Sequence, residues 1–225
     1  MIMKKCAAEF FGTFALVFAG TGAIVINGVS GGAITHLGIA LTFGLIVLAM
    51  IYTIGDISGA HLNPAVTIGF FAARRFPARE VLPYVASQLS GATAGSLLLA
   101  FLFPQTETLG MTLPAGSLAQ SFILEIALTF ILMWVILSVS TGAQEKGITA
   151  GIAVGSVIAL EAMFAGPISG ASMNPARSFG PALVSLHLEN LWIYLVATVL
   201  GALLAVPLCR LIRGPDCCAS KPELS

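Results

Sequence analysis

One decapeptide occurs twice in this chain. Ser58-Gly59-Ala60-His61-Leu62-Asn63-Pro64-Ala65-Val66-Thr67 is echoed by Ser169-Gly170-Ala171-Ser172-Met173-Asn174-Pro175-Ala176-Arg177-Ser178, with six of ten positions identical and an offset of 174 − 63 = 111 in a chain of 225 residues. In each copy Asn-Pro-Ala opens a short apolar stretch, at about 64–73 and about 175–185. Asn is a good N-cap, and Pro is preorganised for the first helical position, where its missing N–H would have no partner anyway. Each stretch therefore predicts a helix of about ten or eleven residues, about 16 Å long. That is half of a bilayer's hydrocarbon core. Two half-length helices at duplicated positions restrict the fold severely.

Composition supplies the medium. Apolar residues make up 57% of the chain and charged residues 9%, against about 25% charged in ordinary soluble domains. Ten acids and ten bases cannot cover a soluble exterior, so the chain reads as an integral membrane protein. Its net charge of zero gives no footprint for a nucleic-acid partner. Six runs are long enough to cross a bilayer, at about 6–27, 34–55, 81–103, 117–139, 147–165 and 190–211. The first is too long and too weakly flanked for a cleaved signal peptide.

Lys4, Lys5, Arg74, Arg75, Arg79, Lys146, Arg210, Arg213 and Lys221 all fall on one face when six spans alternate sides. The positive-inside rule makes that face cytoplasmic, with both termini there. The opposite loops, about 28–33 and 104–116, carry no Lys or Arg. The duplication extends into the spans, since Glu9-x-x-x-Thr13-Phe14 matches Glu125-x-x-x-Thr129-Phe130. Three spans per half force the second half to start on the opposite face. The result is an inverted repeat of about 5–103 and 117–212 within one domain, 1–225, with a short cytoplasmic tail, 213–225. Such repeats place a site at the bilayer midplane. The expected fold class is all-α membrane: six transmembrane helices plus two re-entrant half-helices meeting tip to tip. Gly91-x-x-x-Gly95 and Gly147-x-x-x-Gly151-x-x-x-Gly155 suit close helix packing.

If each Asn oxygen caps its helix, the NH₂ group is left to point elsewhere. Asn63 and Asn174 would then offer donors, together with two positive dipole ends, at one point. A pore there would favour a passing oxygen and repel cations and hydronium. Arg177, three residues past Asn174, is the one basic residue away from the cytoplasmic face. An intramembrane Arg is a functional residue by default.

With both Asn-Pro-Ala motifs intact (Asn63, Pro64, Ala65; Asn174, Pro175, Ala176), the chain resembles the aquaporin, or major intrinsic protein, family over roughly residues 5–212. The resemblance implies a passive channel, assembled as a homotetramer with one pore per subunit in the cell membrane. It also implies a filter of Arg177 with Phe43, Ala162 and Ala171, placed by their spacing from the two motifs. Water-selective relatives usually carry His at the Ala162 position and often Thr or Cys at the Ala171 position. Two alanines widen the constriction and remove a donor, which suits uncharged polyols or weak acids larger than water. Ser178 stands where glycerol facilitators typically have Asp; Ala182 and Tyr194 are water-channel-like, and Leu195 is glycerol-facilitator-like. The mixture, with the run Phe164 to Met173, is similar to the nodulin-type intrinsic proteins of plants and their bacterial relatives. Their substrates include glycerol, water and neutral metalloid hydroxides such as arsenous and boric acid.

In that family, glutamates placed like Glu9 and Glu125 accept hydrogen bonds from the irregular loops; a proton relay is the alternative. Glu161, one helical step from Ala162, reads as bonding a loop backbone or neighbouring helix, or as shaping the outer vestibule. His61 reads as a packed, hydrogen-bonded residue, with pore lining or gating as the alternative. His36, His187 and Asp56 carry no chemical signal. No metal-ligand cluster, nucleophile with base or phosphate-binding loop is present, so neither cofactor nor enzymatic activity is expected. A strictly water-selective channel is the alternative within the family. A secondary transporter fits less well, because coupling would require ion-coordinating groups at the midplane. Cys6, Cys209, Cys217 and Cys218 lie near the termini, where a reducing compartment disfavours disulfides. The Cys217-Cys218 pair reads as tail thiols, with soft-metal binding as the alternative. With no cysteine near the filter, mercurials should leave water flux intact. Stopped-flow swelling checks this, and rapid block abolished by removing any one cysteine would refute it.

Overall fold

The computed structural model describes residues 2–140 and 144–214, the latter with side chains from residue 149. Eight helices follow in order: α1 (Ile2–Val29), α2 (Thr35–Ser58), α3 (Pro64–Ala72), α4 (Ala78–Leu102), α5 (Leu118–Val139), α6 (Gln144–Ser169), α7 (Pro175–Ser185) and α8 (Leu191–Arg213). Six of them, all but α3 and α7, are long and apolar enough to cross a membrane. The six spans and two half-helices of the sequence reading are present. Their limits differ, because α2 continues to Ser58 and α6 continues through Pro167 to Ser169. Each stops only where the backbone turns left-handed, at Gly59 (φ 87°) and Gly170 (φ 84°). Glycine adopts that conformation without steric cost.

The packing repeats itself. α1 lies against α2 and α4 as α5 lies against α6 and α8, and the halves join through α2 with α6, α3 with α8 and α4 with α7. Gly91 of α4 abuts the backbone of Phe10 and Phe14, and Gly201 of α8 abuts that of Ile126 and Phe130. A Cβ at either position would collide with a carbonyl oxygen. Cys6 is a free thiol. Cys209 is buried. Cys217, Cys218 and Lys221 lie outside the described residues.

Two buried carboxylates pin the non-helical loops. Glu9 accepts from Ser58 Oγ (2.7 Å), His61 N (2.9 Å), Leu62 N (2.7 Å) and Gln88 Nε2 (2.8 Å). Glu125 accepts from Ser169 Oγ (2.7 Å), Ser172 N (2.8 Å) and Met173 N (2.9 Å). Tyr84 and Tyr194 donate to the Ser58 and Ser169 carbonyls at 2.8 and 2.7 Å, closing the last turns of α2 and α6.

Glu161 behaves differently. It is 1% exposed, yet neither carboxylate oxygen has a hydrogen-bond partner among the described residues. The bond to a loop or neighbouring helix expected from the sequence is absent. One step of about 100° turns it away from the direction of Ala162. Gly151, Gly155 and the Ala159 turn occupy the flank against α2, so Glu161 falls on the flank toward α5.

Substituting the two acids should therefore have opposite effects. Glu9→Met orphans four buried donors, each costing about 1–3 kcal/mol. Glu161→Met removes an unpartnered polar group and should hold or raise stability. Thermal unfolding in detergent, followed by the fluorescence of the two tryptophans, checks this. A lower Tm for Glu161→Met than for Glu9→Met would contradict it.

Candidate pore and filter

The two half-helices begin in matching fashion. Asn63 is extended (φ −157°), and its Oδ1 accepts from Ala65 N at 2.9 Å and Val66 N at 3.4 Å. Asn174 (φ −149°) does the same with Ala176 N at 2.9 Å and Arg177 N at 3.4 Å. Pro64 and Pro175 occupy the first helical positions. The NH₂ groups then cross between the halves. Asn63 Nδ2 donates to Met173 O at 2.7 Å, and Asn174 Nδ2 donates to Leu62 O at 2.8 Å. A primary amide has two N–H groups, so one on each Asn remains uncommitted.

Both asparagines line a single cavity that also touches Phe43, Ala162, Ala171 and Arg177. The structure thus brings together residues from α2, α6, the second loop and α7. The walls are i, i+4 stripes: Phe43, Val47 and Ile51 on α2, and Val154, Ile158 and Ala162 on α6. Ala65 and Ala176 are fully buried behind the asparagines. His61 and Arg177 are the only ionisable side chains among the residues lining the cavity.

Arg177 is 2% exposed. Its guanidinium sits 5.0 Å from the Phe43 ring centroid, within cation–π range. Nη1 donates to Gly110 O at 2.8 Å, while the buried Nε has no partner among the described residues. The 103–117 connection thus supplies a carbonyl to Arg177 beside the cavity. Sequence reading missed Gly110, since no motif marks a backbone acceptor, although a glycine (φ 69°) after left-handed Leu109 (φ 50°) is a turn signal.

His61 both lines the cavity and packs against Phe70, Phe76 and Tyr84, with ring centroids at 4.7, 4.8 and 5.2 Å. Its Nδ1 lies 3.1 Å from Thr67 Oγ1, whose single hydrogen is directed to Asn63 O at 3.1 Å. Ser178 and Tyr194, which pointed toward water channels, do not line the cavity. Ser178 Oγ accepts from Thr112 Oγ1 at 2.8 Å, and Tyr194 is engaged with Ser169 O. His36, His187 and Asp56 are exposed. Among the described residues no group of three His, Cys, Asp or Glu side chains is placed to hold a metal ion.

Comparison with known proteins points one way. The family profile "Major intrinsic protein" matches residues 1–208. Aquaporin NIP1-1 of Oryza sativa subsp. japonica is 48% identical over 212 residues, covering 94% of this chain and 75% of that protein. A probable aquaporin NIP-type of Nicotiana alata is 47% identical over 217 residues, covering 96% and 80%. Among solved structures, the aquaglyceroporin from Plasmodium falciparum is similar with a TM-score of 0.85 at 28% identity, covering 95% of this chain and 99% of that one. The chain therefore belongs to the major intrinsic protein family, as a multi-pass membrane channel for water and small solutes of the nodulin-type branch.

Proposed function

We propose that the chain, as one domain built of two inverted repeats, passes water and uncharged solutes wider than water: glycerol-like polyols, and metalloid hydroxides such as arsenous or boric acid. Passage runs down the solute's own gradient, with no bond made or broken. The observation that carries this reading is the pairing of Arg177 with Phe43 on one cavity that also holds Ala162 and Ala171. The Arg177 guanidinium would donate to a solute oxygen through an N–H not held by Gly110, while Phe43 offers an apolar face to the solute's carbons. The two alanines withhold bulk and add no side-chain donor.

Exclusion of ions follows from the same groups. Arg177 presents a positive charge, and the N-termini of α3 and α7 present positive dipole ends at the asparagines. The remaining amide N–H of Asn63 and of Asn174 would donate to a passing oxygen and occupy its lone pairs, so that a water held there could donate to neighbours on both sides but could accept a proton from neither. A coupled transporter would need cation ligands, and no carboxylate among the described residues lines the cavity. The water-channel-like residues Ser178 and Tyr194 lie in the scaffold, which favours the wider solute range over strict water selectivity.

The basic residues support termini in the cytoplasm. Lys5 pairs with Glu80 at 3.0 Å, Arg75 donates to Ser140 at 2.7 and 3.0 Å, and Arg210 donates to Ala72 O at 3.3 Å, all at the end of the bundle that holds the N-terminus of α1. Family resemblance supplies the homotetramer and the cell membrane as parts of this proposal.

Stopped-flow light scattering on proteoliposomes under an inward glycerol gradient tests the reading. Rapid shrinkage should be followed by protein-dependent reswelling; reswelling no faster than in empty liposomes would leave a strictly water-selective channel. Ala162→His should narrow the pore and add a donor. Glycerol flux should fall about tenfold or more relative to water flux, the scale on which apolar pockets discriminate by size. An unchanged glycerol-to-water ratio would remove Ala162 from the filter.

A further inference from the structure

Pro167 lies inside α6, near its outer end. Proline has no N–H, so the carbonyl four residues earlier loses its helical donor. That carbonyl belongs to Met163. His36, in the first turn of α2, fills the gap with its Nε2 2.6 Å from Met163 O. A carbonyl only accepts, so the imidazole donates. Gly166 makes room for the ring, since a Cβ there would stand 2.9 Å from His36 Cε1. Gly166, Pro167 and His36 thus form one unit in which each residue is needed by the others.

The position of this tie matters. α2 and α6 meet a second time deeper in the bundle, where a Cβ on Gly155 would lie 2.6 Å from Gly44 O. Phe43 lies between His36 and Gly44 along α2, and Ala162 lies between Gly155 and Met163 along α6. Both line the cavity. The Phe43 and Ala162 turns therefore lie between the close packing of Gly44 on Gly155 and Ala159 below and the His36–Met163 hydrogen bond above. Phe43 follows His36 by seven residues, two helical turns on the same face.

We propose that His36 is a positioning residue of the filter, holding the Ala162 turn of α6 at a set distance from Phe43 through the Met163 carbonyl and thereby fixing the largest solute that passes. This rests on the proposed filter of Phe43, Ala162, Ala171 and Arg177. Without His36 the Met163 carbonyl turns toward water, the outer turn of α6 moves off α2 and the constriction widens.

The test is proteoliposome flux of water, glycerol and the four-carbon polyol erythritol through wild type, His36→Ala and His36→Gln. Hydrogen exchange of the segment around residues 160–168 is followed in parallel. His36→Ala should raise the erythritol-to-water ratio about three- to tenfold, the range that one hydrogen bond's net contribution supports. It should also speed exchange in that segment, and His36→Gln, which keeps a donor of similar reach, should restore both. An unchanged ratio in His36→Ala overturns the proposal. So does an equal loss of water and polyol flux with a lower Tm, which would mark a residue needed only for folding. If wild type passes no polyol at all, the proposed solute range fails. The role of His36 is then still read from whether His36→Ala opens polyol flux and loosens the α6 segment.

Discussion

Two amide groups hold the centre of this molecule. Asn63 and Asn174 each cap their own half-helix with Oδ1 and reach the opposite loop with Nδ2. Facing helix N-termini repel each other, since each carries about half a positive charge. The crossed bonds to Met173 O and Leu62 O oppose that repulsion and fix the tips in register. Producing those carbonyls requires an unusual backbone. Gly59, Ala60 and Leu62 are left-handed, as are Gly170, Ala171 and Met173. For the four non-glycine residues this costs about 1–2 kcal/mol each. The strain persists because Glu9 and Glu125 collect the loop N–H groups that such a backbone leaves pointing inward.

The scaffold is closely symmetric, and the departures from symmetry fall where chemistry differs between the two ends. Tyr84 matches Tyr194, Ser58 matches Ser169, and Glu9 matches Glu125, each making the same bond in its own half. Val66 and Arg177, by contrast, occupy equivalent positions after their motifs and both line the cavity. One half is therefore apolar at that point and the other cationic. His61 and Ser172 are likewise equivalent, and each hydroxyl or imidazole bonds the Thr67 or Ser178 side chain of its own half-helix. Symmetry sets the frame, and a few unpaired substitutions give the pore a direction-dependent lining.

The frame was readable because its causes are local. Asn-Pro-Ala carries its own capping chemistry, and long apolar runs report a bilayer whatever they pack against. The pore face was not readable from periodicity. Val47, Ile51, Val154 and Ile158 line the cavity, but their helices are apolar on every side, so no stripe stands out. α6 runs past the 165 limit of the sequence reading through Pro167, a residue that normally signals a stop. Here a residue from another helix supplies the donor that proline lacks, a remedy with no sequence signature. Glu161 was expected to find a partner by the general rule for buried acids, and it is the exception. The Gly110 carbonyl on Arg177 was out of reach for the same reason as the His36 bond: tertiary proximity alone creates it.

Arg177 shows how little contact holds a buried cation in this pore. One carbonyl, at Gly110, and one ring face, at Phe43, are its local partners, with Nε left over. A guanidinium held in this way is fixed in direction but incompletely satisfied. In the proposed filter it is completed only when a solute brings an oxygen. The opposite wall, Ala162 and Ala171, makes no polar demand of its own. Selection then rests on one side of the pore: a solute needs an acceptor for Arg177, a carbon face for Phe43 and no net positive charge. Size enters through the small side chains of Ala162 and Ala171 and through the separation of α2 from α6. Chemistry and width thus draw on different contacts, the first on the hold that Gly110 and Phe43 have on Arg177, the second in large part on the packing of α2 against α6.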